Sequence, residues 1–349
     1  MKKFLLKICY TVLPLWLFFV GITAYYQLYV APNMVGDLAG LGKIPTRAWQ
    51  SDPTDTTMTD TLYRDVTDAE ELRHAKKEIL VCGDSFSQLG EVGWNSYLAK
   101  MIGRDVLNYK SASGILPNPL QTAYELMRDG YVDSTTVKTF IVESVERSLL
   151  QRISEFAPAS HTLALTAVGG GDDLESNTAG SSGNSWSLTE AKNWLLLRLG
   201  VRNRVRSVTL SKPFFSGIYP DKLLYYRDDI KGNFSIPQTG EPVVKAVVDS
   251  LFNMAGKRGV KLLLLIAPDK YDLYQDYVID NRYPRKTINE DLRRIVGERE
   301  DVIIAKELLL PQVKAGDRDV YKQNDTHWSF TAAKQVATHI FNLQDIKNE

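Results

Sequence analysis

Three side chains in this 349-residue chain have the types and spacing needed for covalent chemistry on a serine. Ser85 lies in Gly83-Asp84-Ser85-Phe86, directly after the apolar run Ile79–Cys82, and Asp325 and His327 lie near the C-terminus. A serine hydroxyl is a weak nucleophile until a neighbouring base takes its proton and a third group fixes the tautomer of that base. The residue types therefore predict Ser85 as the nucleophile, His327 as the base and Asp325 as the carboxylate that orients the imidazole.

The three residues can meet only if the fold brings two distant segments together. Ser85 would follow a buried strand and His327 would precede the last helix, so both are expected at the carboxyl edge of a parallel sheet, where open α/β sheets bind ligands. On an extended loop, residues two apart point the same way, so the Asp325 carboxylate can reach one ring nitrogen while the other faces Ser85. Either motif alone is also explained by a turn or by helix capping, and their joint occurrence favours catalysis.

An acyl-transfer site also needs donors for the negative charge that develops on the acyl oxygen. The backbone N–H of Ser85 is one candidate, and that of Gly114, in the loop after the second predicted strand, is another. The other histidines, His74, His161 and His339, have no ligand spacing around them, so the sequence predicts no metal site. We also expect no cofactor.

The pattern of apolar runs predicts the elements that position these residues. Short apolar runs alternate with amphipathic helices, which indicates an α/β domain built as a three-layer parallel sheet with helices on both faces. The rhythm breaks between about 151 and 240, which we interpret as an insertion with a Gly- and Ser-rich loop at 169–184 and a helix at 188–199. The predicted strands are 79–82, 105–109, 137–142, 260–267 and 302–305, and the remaining predicted helices are 94–102, 119–129, 241–257, 286–296 and 330–343.

The N-terminus has the pattern of a membrane anchor. Residues 1–7 carry three lysines, whereas residues 8–30 carry no charge and are long enough to cross a membrane as a helix. Because the positive charges precede the span, we expect a cytoplasmic tail at 1–7, a transmembrane signal-anchor helix at 8–30 and an extracytoplasmic remainder. A tether at 31–75 would then lead into a catalytic domain at 76–345. A cleaved signal peptide is the alternative, which the length of the apolar run disfavours.

Charge and cysteine content argue against two broad classes of protein. Lys+Arg and Asp+Glu both number 42, so the net charge is near zero, whereas a nucleic-acid binder would show a basic excess. The two cysteines are poor partners, because Cys9 lies in the N-terminal apolar run and Cys82 in the strand before Ser85. The sequence therefore predicts no disulfide framework.

Several motifs resemble the SGNH (GDSL-type) hydrolase superfamily. Gly83-Asp84-Ser85-Phe86-Ser87 resembles its first block and Asp325-Thr326-His327-Trp328-Ser329 its last. The Asp-Thr-His-Trp form is similar to the alginate O-acetyltransferase branch, the AlgX/AlgJ-like proteins, as are Phe140–Leu149 and Ala267–Tyr274. The serine precedes the Asp-x-His block here, as in ordinary SGNH enzymes, whereas the alginate enzymes have the reverse order. The resemblance therefore leaves the identity of the polysaccharide open.

One block of the superfamily is missing. Many SGNH hydrolases carry a Gly-x-Asn-Asp block that supplies an oxyanion-hole Asn, and residues 143–147 stand in its place. Arg147 would then bind substrate or stabilise developing charge. The alternative is that Glu146 and Arg147 form a structural ion pair.

The resemblance implies a membrane-anchored O-acetyltransferase on the outer face of the bacterial inner membrane. It would pass an acetyl group through an acyl-serine to hydroxyls of an exported polysaccharide, with a multi-spanning membrane acyltransferase as the acyl donor partner. Two alternatives stay open, a periplasmic carbohydrate acetylesterase of the SGNH type and a non-catalytic glycan-binding scaffold subunit. The predicted insertion contains a group of aromatic residues that would either form a platform for a sugar or pack a small core. These residues are Trp186, Trp194, Tyr219, Tyr225 and Tyr226.

Overall fold

The computed structural model describes residues 2–50, 63–74, 79–112, 114–156, 188–199, 204–230 and 234–343. Its centre is a six-stranded sheet in the order β1-β3-β2-β4-β7-β8, and every neighbouring pair of strands is parallel, as predicted. The strands are β1 Tyr63–Val66, β2 Ile79–Cys82, β3 Val106–Tyr109, β4 Thr139–Val145, β7 Lys261–Ala267 and β8 Val302–Ile304. An antiparallel hairpin is formed by β5 Val205–Thr209 and β6 Lys222–Tyr226.

Helices follow most of the strands. The helices predicted between residues 94 and 343 are all present with ends that agree within two residues, whereas the N-terminal helix predicted at 8–30 begins at Lys2, six residues earlier. The first helices of the described residues are α1 Lys2–Tyr25, α2 Asp37–Gly42, α3 Ala69–His74, α4 Trp94–Ile102, α5 Pro119–Arg128 and α6 Glu146–Ser154. The later helices are α7 Leu188–Arg198, α8 Glu241–Arg258, α9 Lys270–Tyr274, α10 Ile288–Val296, α11 Ala305–Ala315 and α12 Phe330–Leu343.

Buried apolar side chains form one core on each face of the sheet. Along β2, Ile79 and Val81 belong to the core that contains α4, α11 and α12. Leu80 and Cys82 belong to the core that contains α5, α8 and α10. Because successive side chains of a strand point to opposite faces, a strand covered on both faces is apolar throughout, which is why β2 is so clear in the sequence. The predicted three-layer arrangement is confirmed.

The segment 31–75, which was expected to act as a tether with little regular structure, contributes to the sheet domain. Its strand β1 pairs with β3 at the edge of the sheet. The position at the edge suits polar side chains, and Asp65 accepts a hydrogen bond from Asn108 Nδ2 at 3.0 Å and pairs with Lys110 at 2.6 Å. A polar four-residue strand produces no apolar run, so the sequence pattern did not identify it.

The β5–β6 hairpin of the predicted insertion packs onto the sheet domain. Tyr225 of β6 is only 1% exposed, and its ring lies 4.9 Å from that of Tyr271, so it is a core residue and not a sugar platform. Tyr219, in contrast, is 41% exposed. Trp186 and the Gly- and Ser-rich loop at 169–184 lie outside the described residues.

The N-terminal helix α1 is the candidate membrane span. Counted with the turns that continue it, the span Tyr10–Asn33 is long and apolar enough to cross a membrane, and little of it is buried by the rest of the chain. Length and composition are the only grounds for this assignment, and a signal sequence would meet them too. Helix α7 lies against the end of α1, where Trp194 contacts Tyr25 and Tyr26. Trp194 therefore has a packing role.

Candidate active site

Ser85 lies at the carboxyl end of β2, in the turn that follows the strand. Asp84 caps a single 3₁₀ turn at Ser85–Ser87, and its Oδ1 accepts a hydrogen bond from Phe86 N at 3.2 Å. Phe86 is buried, whereas Ser85 is partly exposed. The turn therefore anchors one residue in the core and leaves its neighbour, which carries the hydroxyl, accessible.

Glu143 of β4 lies beside this turn and is fully buried. Its Oε2 accepts hydrogen bonds from Asp84 N at 2.9 Å and from Ser87 Oγ at 3.0 Å. This close approach requires glycine at position 83, because a Cβ there would lie 2.6 Å from Glu143 Oε2 and would overlap Ser87 Oγ. Burial, and then the negative charge of Asp84, raise the pKa of Glu143 well above its usual value, which favours the neutral form.

Asp84 is the ionised partner in the same group. Its Oδ2 accepts hydrogen bonds from Val145 N at 2.8 Å and from Arg152 Nη1 at 2.7 Å. Burial opposes the charged form, but the Arg152 guanidinium and the hydrogen bonds outweigh it and lower the pKa of Asp84. These contacts tie the Ser85 turn to the end of β4 and to α6.

Asp325 and His327 lie in the loop before α12 and form the predicted pair. Asp325 Oδ1 lies 2.6 Å from His327 Nδ1 and also accepts a hydrogen bond from His327 N at 3.0 Å. Burial opposes both charges, but the attraction between the two groups lowers the pKa of Asp325 and raises the pKa of His327. The contact with Nδ1 places the proton of the neutral ring on that atom, and Nε2 is then the basic nitrogen.

Phe86 brings the Ser85 turn and the His327 loop together. Its ring centroid lies 4.8 Å from that of His327 and 4.7 Å from that of Trp328, in edge-to-face contacts. His327 Nε2 is buried and has no hydrogen-bond partner among the described residues, so it is not bonded to Ser85 Oγ. Catalytic hydrogen bonds of this kind often tighten only in the substrate complex. The turn that carries Ser85 and the loop that carries His327 are thus adjoining segments, joined by the ring contacts of Phe86.

The two predicted oxyanion donors differ in availability. The N–H of Ser85 has no acceptor among the described residues, whereas the N–H of Gly114 donates to Ser111 O at 2.9 Å and closes a turn. Gln88 Nε2 donates to Gly114 O at 3.3 Å, so Gly114 does lie beside the Ser85 turn. Because its N–H is already hydrogen-bonded, Gly114 does not fit the predicted donor role in this geometry.

Arg147, at the start of α6, forms ion pairs with two carboxylates that are distant in sequence, and not with its neighbour Glu146. Its Nη1 lies 3.0 Å from Asp269 and 3.5 Å from Asp229. Burial opposes the charge, but these two carboxylates outweigh it and raise the pKa of Arg147. Glu146 instead pairs with Lys286 at 2.8 Å. The two neighbours in sequence therefore have different partners, and Arg147 stays charged at the carboxyl edge of β4.

Lys270 holds the loop that carries the base, a role that the sequence did not predict. Its ammonium group is buried and donates to the carbonyl oxygens of Lys322, Gln323 and Asp325 at 2.6, 2.8 and 3.0 Å. Burial lowers the pKa of Lys270 to about 7. The Pro-Asp-Lys motif carried part of the family resemblance, but nothing in it indicated which backbone groups the lysine would bind.

Asp37 of α2 is the second side chain that the sequence did not identify. Its Oδ1 accepts a hydrogen bond from Thr326 N at 2.7 Å, and its Oδ2 accepts one from Thr326 Oγ1 and lies 3.5 Å from His327 Nδ1. The contact joins residues near opposite ends of the chain, and no motif surrounds Asp37. Pairing of this kind becomes visible only when the fold is known.

Asp37, Asp325 and His327 also have the residue types of a cation site, since one ligand atom of each lies within 4.8 Å of the others. However, Asp325 and His327 contact each other directly, and both oxygens of Asp37 accept hydrogen bonds from Thr326. Asp37 and the atoms that join Asp325 to His327 Nδ1 are thus engaged with protein groups, whereas His327 Nε2 is not. We interpret the three residues as a hydrogen-bonded array around the imidazole. His161 lies outside the described residues.

Comparison with known proteins supports the resemblance read from the motifs. Residues 221–345 match the family model described as "SGNH hydrolase-like domain, acetyltransferase AlgX". The match contains Asp325 and His327 and begins after Ser85. No curated protein and no solved structure matches the chain. The resemblance to the SGNH superfamily and its AlgX-like branch is thereby confirmed over residues 221–345.

Proposed function

We propose that this protein is a membrane-anchored O-acetyltransferase that modifies hydroxyls of an exported cell-surface polysaccharide through an acyl-Ser85 intermediate. The observation that carries the proposal is the state of His327, whose Nδ1 is held by Asp325 while Nε2 is buried without a partner beside the Ser85 turn. A buried polar atom without a partner costs roughly 1–3 kcal/mol, so its persistence favours a functional role over a structural one.

The chemistry would proceed in two transfers. Ser85 Oγ attacks the carbonyl carbon of the donor acetyl group and gives its proton to His327 Nε2, and the leaving group of the donor then takes that proton. In the second transfer a sugar hydroxyl attacks the acyl-serine and gives its proton to Nε2, which returns it to Ser85 Oγ as the bond breaks. Asp325 would keep the imidazole in the required tautomer and stabilise its positive charge.

Two groups are suited to the negative charge that develops on the acyl oxygen. The N–H of Ser85 has no competing acceptor among the described residues. It belongs to the same residue as the nucleophilic hydroxyl. The Arg147 guanidinium is 17% exposed and lies at the carboxyl end of β4, and its positive charge opposes the rise in the pKa of His327. We propose Arg147 as the group that binds the substrate or stabilises its developing charge.

The N-terminal helix supports the location that we propose. A single span at the bacterial inner membrane, with the lysine-bearing tail in the cytoplasm, would hold the catalytic domain on the periplasmic side. Tethering raises the effective concentration of the site near a donor in the membrane, which suits a multi-spanning acyltransferase partner that supplies the acetyl group. The balanced charge of the chain gives no reason to propose a nucleic-acid partner.

Replacement of Ser85 by alanine tests the proposal in two ways. A strain that carries Ser85→Ala at an unchanged protein level should lose O-acetyl groups from its surface polysaccharide, measured by acetyl analysis of the purified glycan. A rise in acetylation would instead identify a carbohydrate acetylesterase, and no change would favour a scaffold subunit.

The purified full-length protein provides a second measurement. A fluorophosphonate probe should label the wild-type chain at Ser85, and labelling should fall by at least about a hundredfold in His327→Ala, because the base is lost. Labelling that is unchanged in His327→Ala would contradict the assigned base.

A further inference from the structure

The segment that follows the N-terminal helix is closely packed against the loop that carries His327. Asn324 Nδ2 donates a hydrogen bond to Val35 O at 2.9 Å. Gly36 has a φ of +83°, and a Cβ at this position would overlap the carbonyl oxygen of Asn324. Both the backbone conformation and the space therefore require glycine. The segment from 35 to 37, which we call the juxtamembrane segment, is thus fitted to this loop.

Asp37 ends this segment and contacts each residue of the Asp325-Thr326-His327 motif. Its carboxylate accepts two hydrogen bonds from Thr326, through the backbone N–H at 2.7 Å and through the hydroxyl. Its backbone N lies 3.5 Å from Asp325 Oδ2, and its Oδ2 lies 3.5 Å from His327 Nδ1. A second carboxylate therefore lies on the same side of the imidazole as Asp325.

The charge of this second carboxylate is sensitive to pH in the neutral range. Burial, and then the Asp325 carboxylate, raise the pKa of Asp37 to about 7. When Asp37 is ionised, its charge raises the pKa of His327, which strengthens the imidazole as a base. Other charges also act on these groups. The charge of Arg147 lowers the pKa of His327, and the charge of Lys322 lowers the pKa of Asp325. The charge of Asp37 also raises the pKa of the buried Lys270 amine.

We infer that Asp37 is a positioning residue of the proposed acyl-transfer site, which fixes the loop through Thr326 and adds a second negative charge behind the imidazole. The inference rests on the proposed function, since it takes His327 as the base. It implies that the site is complete only when the juxtamembrane segment is docked, so that the membrane anchor and the catalytic loop are coupled by direct contact.

Asp37→Asn in the full-length protein tests the charge, because an amide oxygen can still accept the hydrogen bond from Thr326 N. The rate of Ser85 labelling by a fluorophosphonate should fall about two- to threefold at pH 8, since the base is weaker. The acidic limb of the pH–rate profile should move to lower pH by roughly half a unit, because one anion near the imidazole is lost. Asp37→Glu, which restores the charge, should recover the position of the limb in part.

Thr326→Val is the matched control. It removes the hydroxyl that bonds to Asp37 but keeps the carboxylate, so it should lower the rate and move the acidic limb by less than Asp37→Asn does. An acidic limb that stays in place in Asp37→Asn would overturn the inference. If Ser85→Ala is still labelled like the wild type, the proposed function fails instead. Inactive Ser85→Ala together with an unshifted Asp37→Asn profile would reject this inference alone.

Discussion

The Ser85 turn and the His327 loop are the two halves of the site, and the protein holds them by different means. The turn is built into the sheet domain, because Asp84 and Glu143 bond it to β4 and Arg152 bonds it to α6. The His327 loop is instead held by two side chains from distant parts of the chain, Lys270 and Asp37.

This difference distinguishes residues that stabilise the fold from residues that position the catalytic base. A contact beneath the turn belongs to the buried interior, so its loss should destabilise the whole domain. Contacts with the loop act on a segment outside the sheet that carries the base, so we expect their loss to reduce activity more than the free energy of unfolding. The two halves of one site should therefore respond differently to comparable substitutions.

The largest effect on stability is expected for Arg152→Met. The variant leaves the buried Asp84 carboxylate without its cation, and removal of one partner of a buried ion pair costs about 3–5 kcal/mol. Urea unfolding of the detergent-solubilised chain measures this loss. Arg294→Met, which breaks an exposed pair with Glu241, serves as the control and should cost less than about 1 kcal/mol. Similar losses in the two variants would mean that the turn is not held by the buried pair.

Lys270→Met should have a smaller effect on stability and a larger one on activity. Three loop carbonyls lose their donor, at roughly 1–3 kcal/mol for each one left without a partner, and removal of the unfavourably buried amine offsets part of this loss. The displaced imidazole should slow Ser85 labelling by about ten- to a hundredfold. Lys306→Met is a matched control, because Lys306 is also buried but pairs with Asp272 and Glu290 instead of the loop. It should destabilise the chain while the folded fraction stays active. Equal labelling rates in both variants would contradict the positioning role of Lys270.

The same contrast explains how far the sequence could predict the molecule. The Ser85 turn follows a strand buried on both faces, and its sequence pattern is local, so β2 and the turn could be identified, and Ser85 could be predicted as the nucleophile. The Asp-x-His pair is also local. Asp37 and Lys270 act through backbone groups far away in sequence, and such contacts leave no periodicity or spacing to read. Strand β1 was missed for another reason, because an edge strand can be short and polar.

Gly36→Ala is expected to give the smallest change in stability and the most selective test of the loop. A Cβ at this position would overlap the Asn324 carbonyl, so the juxtamembrane segment should detach locally and the rate of Ser85 labelling should fall about three- to tenfold. Gly316→Ala is the control, since Gly316 also has a positive φ, of +90°, but has open space around it. Both variants should lose roughly 1 kcal/mol in urea unfolding from backbone strain. Gly36→Ala should lose more than this, because the contacts of the detached segment are also lost, and only Gly36→Ala should lose activity. If both variants keep the wild-type labelling rate, the loop that carries the base is held without the juxtamembrane segment, and the contrast between the two halves of the site is then smaller than their contacts indicate.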